Sequence, residues 1–188
     1  MIGSVRLKPL TWHPHIAPVE LADATPEQLD AMKVTPSAKK VSDYVRTLVH
    51  DPDSYVARTV LFNAIMYVDG GLARPDRELG ALGASMVNGC TYCAVVHARR
   101  HAELTKSDDV VTALYFNRPE ALGPRDAAIY AFARRLSAAP SEASKEDIAA
   151  LRAIGMDDVE IIDLIHAISI FGWANRLMHV LGHADSGK

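Results

Sequence analysis

Cysteine and net charge are scarce in this sequence of 188 residues, and each scarcity removes a class of protein. Two cysteines cannot build the disulfide-rich scaffold that small secreted proteins use. A formal net charge of −3 gives no basic surface for nucleic acid or for an anionic membrane. No run of about 18 uncharged apolar residues occurs, so the sequence predicts no membrane-spanning helix.

The N-terminal residues from Met1 to Arg6 lack the basic start and the apolar run of a secretory signal peptide. We therefore expect a cytoplasmic protein, in which paired cysteines serve catalysis or metal binding more often than structure. The length and the hydrophobic share of 49% fit a soluble protein with one buried core. We expect an extended arm over residues 1–18, which contain three prolines, followed by one domain over residues 19–188.

Helix signals recur along the chain and strand signals do not, which predicts an all-α fold. A threonine or aspartate followed by proline opens three predicted helices, the second over about 36–49 and the third over about 52–68. Further helices are predicted over about 75–87, 90–104, 107–115, 125–138, 145–155 and 157–181. The last of these is apolar on most faces, so we expect it to be buried, either centrally or against another subunit.

Both cysteines lie in one short segment, as Cys90 and Cys93, and His97 follows four residues later. An α-helix advances about 100° per residue, so these three side chains fall within roughly 60° of one another. The i,i+3 spacing brings the two cysteine Cα atoms to about 5 Å, within the range of a disulfide bond. His97 can serve as the base for Cys93, and a helix beginning near Asn88 would lower the thiol pKa. Cys90 is placed to attack the oxidised form of Cys93.

Glu78 can join this group only if the chain reverses at Asn88–Gly89. On one continuous helix Glu78 would lie about 22 Å from Cys93 along the axis, which is too far to act there. A turn at Asn88–Gly89 gives two antiparallel helices, with Glu78 ten residues before the turn and His97 eight after it. At about 1.5 Å per residue these levels nearly match, so Glu78 can orient or charge-stabilise His97.

Three plainer interpretations of these residues remain open. The two cysteines and His97 can be part of a structural zinc site, which His101 would complete. The cysteines can instead be buried and unreactive. Glu78 can be a solvated carboxylate whose charge stabilises the N-terminus of its own helix.

The segment from Arg77 to Ala98 resembles the alkylhydroperoxidase AhpD core, within the carboxymuconolactone decarboxylase-like superfamily. The spacing Glu-x11-Cys-x2-Cys-x3-His carries the resemblance, which covers roughly residues 50–182. The N-terminal arm and residues 168–177 resemble the uncharacterised peroxidase-related branch of that family. The resemblance implies an all-α AhpD-like domain with an antiparallel helical hairpin, assembled as a homo-oligomer such as a trimer or hexamer. The best-studied AhpD proteins carry a histidine between the cysteines, where this chain has Tyr92.

The resemblance also implies a cysteine-based peroxidase with an antioxidant role, which reduces hydroperoxides without a cofactor or a metal. Carried over to this sequence, Cys93 is the peroxidatic thiol and Cys90 is the resolving thiol. His97 is then the base, and Glu78 is its partner in a proton relay. The implied reductant is an external dithiol, for example the lipoyl group of another protein. The alternative functions are a general dithiol–disulfide oxidoreductase or redox chaperone, and a carboxymuconolactone decarboxylase-like enzyme.

Overall fold

The structure, a computed structural model, describes residues 7–33 and 41–185, and helices account for most of these residues. The helices are α1 (Pro26–Met32), α2 (Asp43–Leu48), α3 (Pro52–Met66), α4 (Arg74–Val87), α5 (Thr91–Thr105), α6 (Asp109–Tyr115), α7 (Pro124–Ser137), α8 (Lys145–Ala153) and α9 (Asp158–Leu181). A single 3-10 turn, Pro119–Ala121, and two short strands, β1 (Trp12–Pro14) and β2 (Gly182–Ala184), complete the regular structure of this part of the chain. The predicted all-α fold is confirmed.

The observed helix ends follow the capping signals in the sequence. At the start of α1, the Thr25 side chain accepts a hydrogen bond from the Gln28 amide at 3.2 Å, and the Gln28 side chain accepts one from the Thr25 amide at 3.0 Å. This reciprocal pair satisfies two amides that a helix N-terminus otherwise leaves unpaired. The second predicted helix is shorter than expected, because α2 begins after its N-cap Ser42, and residues 36–40 lie outside the described residues.

Contacts divide the described chain into two compact units, each of which combines separate segments of sequence. The first unit holds residues 7–9 and 69–176, and the second holds residues 10–33, 41–68 and 177–185. Helix α9 therefore contributes residues 158–176 to the first unit and its last turn to the second. The expected division into an arm over 1–18 and one domain over 19–188 stays a prediction.

The two short strands lie in the second unit, and the sequence did not predict them. β1 and β2 pair antiparallel, with Trp12 opposite Ala184. The Trp12 ring packs edge-on against Tyr44, with ring centroids 5.4 Å apart. Three-residue strands from distant parts of the chain are too short to give an alternating pattern. The same unit contains a small hydrophobic core. It is formed by Ala31 and Met32 of α1, Val49 at the end of α2, and Tyr55 of α3.

The first unit is built around α4, whose residues 76–85 are all buried. Helix α4 packs against α5 and α7. A Cβ atom added at Gly83 would lie 2.7 Å from the Cβ of Ala133 on α7, so only glycine permits this close helix approach. The most buried helix of the unit is therefore also the one that carries Glu78.

Helix α9 is long and apolar enough to cross a membrane by length and composition, but half of its apolar window is buried within the protein. Core helices of globular proteins give the same signal. Its buried apolar residues in the first unit include Ile161, Leu164, Ile168 and Phe171. The expected burial holds for one face only, since Val159, Ile162 and Trp173 are exposed.

Candidate functional site

The chain reverses direction between α4 and α5, at the predicted position. Gly89 has a φ of 69°, a left-handed conformation that glycine adopts without the penalty that a Cβ imposes. The Gly89 amide donates to the Met86 carbonyl at 3.2 Å, and the Cys90 amide donates to the Ser85 carbonyl at 2.9 Å. These two bonds define a Schellman motif, which ends α4 and satisfies its last carbonyls. Cys90 is at the same time the N-cap residue of α5.

The reversal brings Glu78 on α4 against His97 on α5. The Glu78 Oε2 atom and the His97 Nδ1 atom are 2.6 Å apart, and both residues are buried. The other carboxylate oxygen, Oε1, accepts a hydrogen bond from Arg74 Nε at 2.8 Å and also contacts Arg74 Nη2. Glu78 is 1% exposed, which rules out the interpretation of this residue as a solvated helix-end carboxylate.

Glu78 is ionised in this environment, although burial opposes its charge. The hydrogen bond with His97 and the positive charge of Arg74 outweigh burial and lower the pKa of Glu78 below its ordinary value. An ionised carboxylate accepts hydrogen bonds only, so His97 donates to it from Nδ1, and Nε2 is the ring nitrogen not engaged by Glu78. Phe171 packs edge-on against the imidazole, with ring centroids 4.2 Å apart, and fixes the plane of the ring.

The two thiols form a reduced pair at the start of α5. The Sγ atoms of Cys90 and Cys93 are 2.9 Å apart and hydrogen-bonded, without a disulfide bond. Cys90 is 4% exposed and Cys93 is 7% exposed, so a small molecule has limited access to either sulfur. Because the sulfurs already touch, a disulfide between them requires only a small adjustment of the two side chains.

The electrostatics of Cys93 differ from the sequence-based expectation of a lowered thiol pKa. The hydrogen bond with Cys90, together with burial, raises the pKa of Cys93 above its ordinary value. The amide at the helix start does act in the expected direction, but it is outweighed. Cys93 therefore rests as a protonated thiol, which must lose its proton before its sulfur can act as a nucleophile.

Asn175 on α9 is bonded to residues of α4 near the thiol pair, a contact that sequence reasoning missed. Its side chain donates from Nδ2 to Ser85 Oγ at 3.3 Å and accepts from Asn88 Nδ2 at 3.0 Å, and it acts to lower the pKa of Cys93, in opposition to Cys90 and burial. Asn175 is 0% exposed. A fully buried amide within an apolar helix was the available signal, because such a group requires polar partners.

His97 and Cys93, one turn apart on α5, do not share a hydrogen bond in the described structure. A proton passing between them needs a bridging water or a side-chain rotation. Tyr92, which occupies the position of the family histidine, is half-buried. Burial and the neighbouring thiols raise the pKa of Tyr92, so its phenol stays neutral at physiological pH.

Within residues 7–33 and 41–185, no group of three or more histidine, cysteine, aspartate or glutamate side chains is arranged to hold a metal ion. His101, the fourth ligand considered for a zinc site, is buried at 2% exposure, and burial lowers its pKa. The structure therefore brings together Glu78, Cys90, Cys93 and His97 in one unit and leaves His101 outside the group.

Comparisons of the sequence and of the structure with known proteins indicate the same family resemblance. Residues 52–135 match the profile of the carboxymuconolactone decarboxylase family. A crystal structure of an alkylhydroperoxidase AhpD core, an uncharacterised peroxidase-related protein from Ralstonia eutropha JMP134, is similar at 29% identity and a TM-score of 0.78. That alignment covers 89% of this chain and 90% of the Ralstonia chain. The sequence has no significant match among curated proteins.

Two further structures share the fold at lower identity. The debrominase Bmp8 aligns at 22% identity and a TM-score of 0.72, over 87% of this chain and 88% of its own. A peroxidase-related protein from Silicibacter sp. TM1040 aligns at 22% identity and a TM-score of 0.73, over 92% and 93% of the two chains. The fold and the buried CxxC pair define an AhpD-like helical protein. Residues 52–135 are thus similar to the carboxymuconolactone decarboxylase family, and the fold is similar to that of the AhpD core structure from Ralstonia eutropha.

Proposed function

We propose that this protein is a cysteine-based peroxidase, which reduces hydroperoxides through a dithiol–disulfide cycle of Cys90 and Cys93. The observation that carries the proposal is the contact of the two reduced sulfurs at 2.9 Å, in the unit that also holds the Glu78–His97 pair. Other members of the superfamily do other chemistry, and the fold that is shared with a debrominase does not select a substrate. The proposal therefore depends on the site.

In the proposed first step, the Cys93 thiol loses its proton and the thiolate attacks one oxygen of the hydroperoxide. The O–O bond breaks, the sulfur is oxidised to a sulfenic acid, and the other oxygen leaves as water or an alcohol after it takes up a proton. His97 Nε2 is the proposed proton acceptor, reached through a bridging water. Glu78 holds the imidazole in the required tautomer through the 2.6 Å contact at Nδ1.

In the second step, the Cys90 sulfur attacks the sulfenic acid of Cys93. A disulfide bond forms and water leaves, so the two electrons that reduced the peroxide come from the thiol pair. An external dithiol, for example a lipoyl group carried by another protein, then exchanges with the disulfide. That dithiol is oxidised and the two thiols are restored. The contact that the two sulfurs already make favours rapid disulfide formation, because the side chains need to move only a little.

The test is peroxide-dependent loss of free thiols, followed by mass spectrometry of the peptide that contains both cysteines. The wild-type protein is expected to form an intramolecular disulfide and consume one peroxide per pair. Cys93→Ser should abolish peroxide consumption, whereas Cys90→Ser should leave a sulfenic acid that a dimedone-type probe traps. Thr91→Ser, an exposed change between the two cysteines, is the matched control and should behave like wild type.

Three results would contradict the proposal in different ways. Wild-type turnover by Cys93→Ser would overturn the assignment of the peroxidatic thiol. Reduction of a model protein disulfide without any response to peroxide would favour a general dithiol–disulfide oxidoreductase or a redox chaperone. Activity on a carboxylated lactone that survives Cys→Ser changes at both positions would favour carboxymuconolactone decarboxylase-like chemistry, which does not use the thiols.

The family assignment further favours a homo-oligomer, a trimer or a hexamer, acting in the cytoplasm. Light scattering coupled to size-exclusion chromatography measures the mass of the assembly directly. A single subunit mass of 20.4 kDa at micromolar concentration would contradict the proposed assembly without affecting the thiol chemistry.

A further inference from the structure

Helix α9 carries one exposed stripe along its part of the first unit. All exposed residues between 158 and 176 belong to it, and we call it the α9 stripe: Asp158, Val159, Ile162, His166, Ser169, Trp173 and Arg176. An α-helix advances about 100° per residue, so these side chains lie within an arc of about 100°. From Val159 onward they recur at alternating intervals of three and four residues, which is the spacing of a seam between two helices.

The α9 stripe leaves large apolar side chains uncovered. Val159 is 58% exposed, Ile162 is 53% exposed and Trp173 is 46% exposed, whereas Leu164 and Ile168 on the opposite face are buried. Apolar side chains that are scattered over a surface carry little meaning, but an aligned row on one helix marks a binding surface for another helix. Tryptophan in particular is enriched among the residues that dominate protein interfaces.

The two ends of the α9 stripe differ in charge. Asp158 lies in the first turn of the helix, and its side chain is 75% exposed although it pairs with Arg152. Arg176 lies at the other end, and within the part of the chain that the structure describes it forms no ion pair; its guanidinium contacts the Gly172 carbonyl. A second helix that runs antiparallel along the stripe therefore meets a cation where its own acidic first turn arrives.

A groove lies beside the basic end of the stripe. Its volume is about 440 Å³, and it is lined by Trp173 and Arg176 together with Ser137 at the end of α7. None of the described residues that line it is acidic. The groove therefore suits an occupant with an apolar side chain and a carboxylate, and the acidic half of a second α9 helix presents both, in Ile162 and Asp158.

We propose that the α9 stripe is a contact between two copies of this chain, whose α9 helices pack antiparallel about a twofold axis. The stripe is self-complementary in this arrangement, because residues at equal distances from the axis meet. With the axis between positions 167 and 168, Ile162 faces the partner's Trp173, and Val159 and Asp158 face the partner's Arg176. Because the contact is twofold, each of these pairs forms twice.

The centre of this contact is polar. His166 and Ser169 lie at equal distances from the axis, so the imidazole of each copy meets the hydroxyl of the other. Imidazole and hydroxyl groups each donate and accept hydrogen bonds. A polar pair inside an apolar seam fixes the register of two helices, because a shift of one helix along the other leaves buried polar groups without partners.

The inference rests on the homo-oligomer of the proposed function and adds one constraint to it. A twofold contact gives an even number of subunits, so it is compatible with a hexamer and excludes a trimer. It is independent of the thiol chemistry, since none of Glu78, Cys90, Cys93 and His97 belongs to the stripe.

The experiment measures the mass of the full chain by light scattering coupled to size-exclusion chromatography, at several protein concentrations. The wild type should have a mass that is an even multiple of 20.4 kDa. Ile162→Glu and Trp173→Lys each put an unpaired charge opposite an apolar partner, so each should halve that mass. Circular dichroism checks that both variants keep their helices, as expected for side chains that are exposed in the single chain.

The double variant Ile162→Glu/Trp173→Lys tests the antiparallel register. In this register the introduced glutamate meets the introduced lysine of the partner, so the double variant should associate roughly tenfold more tightly than either single variant. If the two positions were not opposite each other, their effects would add and the double variant would associate more weakly than both. Val60→Lys is the control, since Val60 is 59% exposed on α3 and the change should leave the mass unaltered.

A wild-type mass of one or three subunits would overturn the α9 contact, and three subunits would still support the homo-oligomer. Wild-type mass in both single variants would overturn it as well, and so would a double variant that associates no more tightly than the single variants. An equal halving by Val60→Lys would show that any added surface charge dissociates the protein, and the α9 assignment would fall. Peroxide-dependent thiol loss is measured separately, so its failure in the wild type refutes the peroxidase and leaves the α9 contact standing.

Discussion

The Glu78→Gln substitution isolates the charge of the buried carboxylate, since glutamine keeps the volume of the side chain and one oxygen acceptor. In the folded protein, Glu78 is 1% exposed and receives hydrogen bonds from His97 and Arg74. Hydrogen bonds to a charged group contribute about 1.5–3 kcal/mol, and breaking a buried pair costs more than this when a partner stays buried and unpaired. We therefore expect the free energy of unfolding at pH 7 to fall by about 2–3 kcal/mol.

For a protein of this length, each kcal/mol lowers the unfolding temperature by roughly 2–4 °C, so the expected decrease is about 4–12 °C. Glu103→Gln is the matched control, because Glu103 pairs with Arg100 at 3.2 Å on the exposed surface of α5. Exposed pairs contribute about 0–1 kcal/mol. Thermal unfolding followed by circular dichroism compares both variants with the wild type. Equal losses in the two variants would refute the reasoning.

A comparison of Glu78→Gln with the wild type at different pH values gives a second test, because the pKa of Glu78 fixes the direction in which the stability difference changes. The folded-state pKa of Glu78 lies below the ordinary value of 4.5, so its ionisation stabilises the folded protein above that pH. As the pH falls below 4.5 and through the folded-state pKa, the wild-type carboxylate becomes protonated and the advantage is lost. The stability difference between the wild type and Glu78→Gln should therefore be present at neutral pH and shrink below pH 4.5. A difference that grows with acidification would show that the sign is wrong.

Two glycine substitutions in α4 and its turn should destabilise the protein for different reasons. Gly83→Ala places a Cβ 2.7 Å from that of Ala133, so we expect a loss of about 1–3 kcal/mol from overpacking, relieved in part by an accompanying Ala133→Gly change. Gly89→Ala meets no atom within 4 Å but keeps a φ of 69°, so the expected loss is about 1–2 kcal/mol and no second-site change at Ala133 should relieve it. Chemical denaturation of the single and double variants measures both effects, and rescue of Gly89→Ala by Ala133→Gly would contradict the distinction.

Local signals in the sequence were sufficient to predict most of the helices of this protein. Proline, threonine and serine at helix starts fixed where α1, α3 and α8 begin, because capping depends on neighbours within three residues. The turn after α4 was predictable for the same reason, since Asn88–Gly89 ends a helix by its own backbone geometry. The strand pair was not predictable, because two three-residue segments acquire their structure from each other.

In the candidate site, too, some features were predictable from the sequence and others were not. The sequence alone determined that Cys93 and His97 share one face of a helix, because helical periodicity follows from the backbone, and Cys90 is the N-cap residue of that helix. The Glu78–His97 contact was also predictable, because the two residues lie at similar distances along their helices from the turn. Only the tertiary structure decided that Glu78 is buried and that the contact with Cys90, together with burial, raises the pKa of Cys93. Arg74 joins Glu78 through local spacing, because it lies four residues earlier on the same helix. The contacts of Asn175 with Ser85 and Asn88 depend on the same level of structure, since they are set by how α9 packs against α4, and no spacing in the sequence encodes the packing of distant helices.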